Sequence, residues 1–184
     1  MATRTILAAA AAVAAFALSP ATQAQSLDGS QVTVGAYCCS APAAADLVSN
    51  TLTRVVGPDV EFPEGSFVAT VGAQPFPVAI DVDGTTIELT YSAGGVAESG
   101  GFNGFVFAFE GAPTITGASL DPTSNYSPTV TFDANHVYVN EAGLTVAEGS
   151  NAVVNITAVP EPEAYALMLG GLGLLGVMAR RRRG

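Results

Sequence analysis

Val78-Ala79-Ile80-Asp81-Val82-Asp83-Gly84-Thr85-Thr86-Ile87-Glu88-Leu89-Thr90-Tyr91 is the stretch that decides the fold. Successive side chains on a strand point to opposite faces. Val78, Ile80 and Val82 therefore share one face, and Ile87, Leu89 and Tyr91 alternate in the same way on the return. Asp83-Gly84 stands between the two runs. An Asp-Gly flanked by alternating apolar residues is the strongest short-range hairpin signal.

The same period recurs on both sides of this hairpin. Val32, Val34 and Ala36 alternate with Thr33 and Gly35. Phe105, Phe107 and Phe109 alternate with Val106 and Ala108, giving one aromatic and one small apolar face, as a core strand requires. Ile115 to Leu120, Thr129 to Phe132, Val137 to Val139 and Val153 to Thr157 complete the set, with Gly, Pro, Asn and Asp between them. About eight to ten short strands with turn signals predict an all-β fold, a single β-sandwich. A jelly-roll would give nearly the same pattern. Ala41 to Ser49 is the one candidate helix, with Pro42 in its first turn and Asp46 near its start, and a loop fits it equally.

Both ends of the chain are built differently. Arg4 precedes an alanine-dominated run from Ile6 to Leu18, which Ser19-Pro20 breaks. Thr22-Gln23-Ala24 then offers small residues where a signal peptidase cuts. Residues 1–24 thus read as a signal peptide, an apolar helix removed on export, and imply an encounter with the export machinery. That leaves residues 25–158 as the β domain and 159–184 as a separate tail. Within the tail, the run 164–179 counts 16 residues. This is the short edge for a helix crossing the membrane, which needs about 20. Arg180, Arg181, Arg182 and Arg183 follow at once and act as a membrane stop held on the cytoplasmic side. Signal and stop agree: domain outside, arginines inside.

Pro160-Glu161-Pro162, then a short apolar helix, then an arginine cluster resembles the PEP-CTERM sorting signal, a segment also catalogued as an "ice-binding protein C-terminal" domain. The resemblance covers residues 159–184 and carries Pro160, Glu161 and Pro162 over as the sorting motif. It implies recognition by an exosortase-type membrane peptidase, transient anchoring in the inner membrane, and delivery to the cell surface or beyond. It also implies a setting of exopolysaccharide and biofilm matrix. Val60-Glu61-Phe62-Pro63, Ile80-Asp81-Val82, Phe102 to Phe107, Ile115-Thr116-Gly117 and Asp133 to Asn140 look like an uncharacterised all-β family found ahead of such tails. That likeness adds fold and no activity.

Charge narrows the function. The chain has 16 acidic and 6 basic residues. All the acidic ones but Glu161 and Glu163 lie between residues 25 and 159, against Arg54 alone and no lysine. Such a surface repels phosphate, so a nucleic-acid partner is excluded. His136 is the one histidine, there is no G-x-S-x-G elbow, and no catalytic residue is expected. Asp81-Val82-Asp83-Gly84 opens like a calcium loop, but Ser92 stands where the loop needs its twelfth-position Glu. Glu88 is placed to meet Asp81 across the hairpin. No metal site and no cofactor are assigned. Cys38-Cys39 offers a vicinal disulfide, favoured over free thiols or intermolecular pairing because export removes the reducing cytosol. The sequence therefore predicts an exported, non-catalytic protein with a structural or interaction role, contacting polysaccharide through its acidic surface. The other reading is a glycan- or small-ligand-binding module with weak dependence on divalent cations.

Overall fold

The computed structural model describes residues 25–159 and 168–172. The predicted signal peptide, the Pro160-Glu161-Pro162 motif and Arg180 to Arg183 lie outside the described residues. Residues 168–172 are helical and are the only described part of the predicted 164–179 helix. Among the described residues, no helix is long and apolar enough to cross a membrane.

The domain is all-β. Eleven strands run in chain order: β1 (Gln31–Cys38), β2 (Leu52–Val55), β3 (Val78–Val82), β4 (Thr86–Tyr91), β5 (Gly95–Val96), β6 (Asn103–Glu110), β7 (Thr114–Leu120), β8 (Thr129–Phe132), β9 (His136–Asn140), β10 (Thr145–Val146) and β11 (Asn151–Val159). One sheet has the order β2-β1-β6-β9-β8, another β3-β4-β11-β7, and β10 pairs with β5 alone. Every strand pairing is antiparallel.

The inward rows follow the alternation. β3 buries Val78, Ile80 and Val82, and β4 buries Ile87, Leu89 and Tyr91. β11 buries Ala152, Val154, Ile156 and Ala158. From the five-stranded sheet come Val32 and Val34 of β1, Phe105, Phe107 and Phe109 of β6, and Val137 and Val139 of β9. All belong to one hydrophobic cluster that draws on both large sheets. β6 lies between β1 and β9, and its second face is small and apolar too: Val106 is also buried. Phe67, in the long β2–β3 connection, packs edge-on to Phe105 at 5.6 Å between ring centroids.

The hairpin forms with Val82 opposite Ile87, and the Asp83 N–H donates to the Thr86 carbonyl at 2.9 Å. Gly84 is not there for a left-handed turn, since its φ is not positive. It is there for space: a Cβ would run into the Ser26 hydroxyl and stand 2.9 Å from Asp28 Oδ2. The segment before β1 crosses at this point, where the Leu27 N–H donates to the Gly84 carbonyl at 2.7 Å. Gln25 N–H donates to the Ala158 carbonyl at 2.9 Å, so the domain's first and last residues lie side by side.

Two parts of the structure depart from the strand pattern. Of the two readings open for Ala41 to Ser49, the loop holds: only Ala44–Asp46 makes a single 3-10 turn. The Asp46 carboxylate accepts from the Ser40 hydroxyl at 2.6 Å and the Ala41 N–H at 3.1 Å, folding the chain back on itself. Leu47 and Ser49 instead form isolated bridges with Tyr37 and Ala69. Strands β2, β5 and β10 are the second departure. β2 shows three exposed residues of four and no alternation, while β5 and β10 have two residues each. Such segments carry no periodic signal to read.

Phe107 is fully buried at the centre of the cluster. Phe107→Ala is expected to cost about 3–5 kcal/mol in urea denaturation. Phe132 is 42% exposed at the sheet edge, and Phe132→Ala is expected to stay within about 0.5 kcal/mol. Equal midpoints for the two variants would contradict the core placement.

Candidate functional site

The inward rows of β4 and β9 each end on a polar residue. Period two carries Val137 and Val139 of β9 on to Glu141, and Ile87 and Leu89 of β4 on to Tyr91. Glu141 and Tyr91 are each 6% exposed, and the Tyr91 hydroxyl donates to Glu141 Oε1. This bond ties the end of one sheet's core row to the end of the other's. Tyr126 packs edge-on to Tyr91 at 5.8 Å, and its own buried hydroxyl has no partner among the described residues.

Burial away from water disfavours the charged form of a carboxyl. Desolvation therefore pushes Glu141 up from 4.5 to about 7, against the Tyr91 hydrogen bond, which lowers it. The same burial, with the Glu141 charge beside it, raises Tyr91 well above its ordinary value, and Tyr126 also rises.

A cleft of about 320 Å³ opens onto this pair. Tyr91, Glu141 and Val146 lie at its buried base; Phe76 is half-buried in its wall; Val96 and Glu98 stand exposed at its rim. The small sheet shapes it, with Val96 opposite Thr145 and Gly95 opposite Val146. Asn103 ties the rim down: its side-chain N–H donates to the Glu98 carbonyl at 3.2 Å, and its own carbonyl accepts from the Glu141 N–H at 2.7 Å. A larger opening of about 720 Å³ runs along Arg54 to Pro63. Its buried carboxylate, Glu61, is already engaged by the Gly57 and Val82 N–H groups, each at 2.8 Å.

Glu98 also reaches the cysteines. The Cys38 and Cys39 sulfurs are joined as a disulfide across a cis peptide bond, at the end of β1. Glu98 Oε2 lies 3.2 Å from the Cys39 sulfur and 3.9 Å from that of Cys38. The opposing loop comes so close that a Cβ at Gly100 would overlap the Cys39 carbonyl. Cys38, Cys39 and Glu98 are the described group whose candidate ligand atoms all fall within 4.8 Å of one another. A sulfur held in a disulfide has no thiolate to offer a metal, so the closed pair is not a ligand set.

The remaining sequence candidates sit elsewhere. His136 opens β9, with Nδ1 2.9 Å from Asp133 Oδ1, and its ring stacks on Tyr138 at 5.8 Å. Asp133 is raised by desolvation, but the Asn135 N–H, the Tyr138 hydroxyl and His136 outweigh this and hold it at about 2. None of the hydrogen bonds described for the ring involves a serine or cysteine. Asp81 does face Glu88 across the hairpin. Burial raises its carboxyl, and Glu61, Asp83 and Glu88 push it the same way. Sequence reading did not single out Glu141, Glu98 or Phe76. The alternation past Val139 was the available signal for Glu141.

Residues 158–183 match the family model of the PEP-CTERM protein-sorting motif. No curated protein and no solved structure matches the chain. The motif marks an exported protein that an exosortase, a membrane peptidase, recognises and processes.

Between pH about 4.5 and about 7, the folded chain keeps a proton on Glu141 that the unfolded chain has released. The Glu141 contribution to stability therefore falls as pH rises through that window, by about 3 kcal/mol, and does not change further above it. Asp81, raised as well, adds a loss of the same sign at lower pH. Urea midpoints taken across this range should show the decline, and Glu141→Gln should flatten its upper part. A wild-type profile that rises from pH about 4.5 to about 7 would contradict the buried carboxyl.

Proposed function

We propose that this chain is a non-catalytic structural or interaction protein, exported and then sorted through its tail to the cell surface or the extracellular matrix. The observation that carries this is the sorting motif at residues 158–183, which overlaps the last two residues of β11. The two large sheets are read as the halves of a β-sandwich, since one hydrophobic cluster serves both. The charge pattern gives the domain its contacts. An acidic, lysine-free surface with Arg54 as its one strong cation suits polysaccharide bridged by divalent cations, in exopolysaccharide or biofilm matrix. The predicted signal peptide, residues 1–24, would start the route, and the 164–179 segment would hold the chain in the inner membrane until the cut.

The second reading is a module that binds a small ligand or glycan. The cleft over Tyr91 and Glu141 favours it. A concave site with an apolar lining and a few convergent polar groups is where ligands are held.

Intact mass of the mature protein from its native host, under non-reducing conditions, tests the route. The expected mass spans Gln25 to about Pro160, less two hydrogens for the Cys38–Cys39 bond. Replacing Pro160 and Pro162 by alanine should leave the tail attached. A wild-type mass that runs on through Gly184 would overturn the sorting step.

A further inference from the structure

We propose that the cleft over Tyr91 and Glu141 binds a small organic amine, its ammonium group set against the Glu141 and Glu98 carboxylates and its apolar body packed on Phe76, Val96 and Val146. The proposal rests on the small-ligand reading above and gives that ligand a chemical class.

Charge argues first. Two acidic residues line the cleft, Glu141 buried and Glu98 exposed at the rim beside the disulfide. Glu141 has a hydroxyl donor in Tyr91 but no cationic partner among the hydrogen bonds and ion pairs described. The domain's sole arginine, Arg54, lines the other opening, and the chain has no lysine. A buried carboxylate without a counter-charge is costly, and a cation brought by a ligand removes that cost. An anionic ligand would meet two like charges and nothing to neutralise it.

Shape argues second. The Tyr91 and Phe76 rings and the Val146 side chain offer apolar contact below, and aromatic faces attract ammonium groups. The near rim is Gly94-Gly95-Val96-Ala97, which is backbone and aliphatic surface. Val96 stands 72% exposed and would be covered by a ligand's apolar part.

Acid–base behaviour fits. Burial holds the Glu141 carboxyl at about 7 in the empty cleft, so below that pH an ammonium must first displace its proton and binds more weakly. Glu98, Tyr91 and Tyr126 are the titratable groups around it, and the two tyrosines stay neutral there.

The test is calorimetric titration of the protein recovered from its host, with phenethylamine and with phenethyl alcohol as its neutral isostere. At about pH 8 the amine should bind at least roughly tenfold more tightly than the alcohol. The preference should shrink as pH falls to about 5.5 and Glu141 takes up its proton. Glu141→Gln and Glu98→Gln should each reduce it, and Val96→Trp, which fills the mouth, should abolish binding of both probes. If Glu141→Gln does not fold, Glu98→Gln and the pH series decide. Equal affinity for amine and alcohol, both lost in Val96→Trp, would overturn the amine and keep the pocket. Binding of neither probe to the wild type would overturn both.

Discussion

The structure depends on one requirement: both large sheets must bury their inward rows in a single hydrophobic cluster. Removing apolar surface from water supplies about 25 cal/mol per Å² and is the dominant favourable term in folding. The inward rows of β1, β3, β4, β6, β9 and β11 supply that surface in register. Where two such rows run out, at Tyr91 and Glu141, the core ends on a polar bond. That bond keeps a carboxyl at the rim of the hydrophobic cluster, where an apolar residue would have packed at less electrostatic cost. Phe62 closes a different weak point. Its backbone exchanges hydrogen bonds of 3.0 and 2.9 Å with Ile80, covering part of the outer edge of β3. The Glu61 carboxylate takes the Val82 N–H on the same edge. Such cover is how exposed sheet edges are kept from pairing with other chains.

Much of this frame is legible in the chain. Val78 to Tyr91 dictates a hairpin and its inward faces, and Phe105 to Phe109 dictates a central strand, because a strand buried on both faces has no polar period. Other parts are not legible. β5 and β10 are held by each other and by the loops around them, and two residues cannot display a period. Ala41 to Ser49 looks helical by composition, yet its polar groups bond locally and its later residues are taken by bridges. Glu141 was hidden for a different reason. Asn140-Glu141 resembles the polar end of a strand, whereas the row simply continues inward. A carboxyl on a core face shows itself only when the residue opposite, here Tyr91, is known to be near.

Tail and domain also differ in how they inform. The tail's meaning lies in a linear order of features that a peptidase can read, so the sequence alone carries it. The domain's meaning lies in which loops meet. Glu98 touches both the disulfide and the cleft because the 97–103 and 140–144 segments are laced together: Ala97 N–H to the Leu144 carbonyl at 2.9 Å, and Gly143 N–H to the Ala97 carbonyl at 3.1 Å. No local pattern announces that meeting.

β11 links the two halves of the molecule in a way that sets direction. Its first end lies at the cleft, where the Tyr91 N–H donates to the Ser150 carbonyl at 2.9 Å. Its last residue, Val159, is where the tail departs, beside Gln25. Nine residues of strand separate these ends, roughly 25–30 Å. The cleft and the point where the tail departs therefore lie at opposite ends of one strand, so whatever acts on the tail works a strand's length away from the cleft.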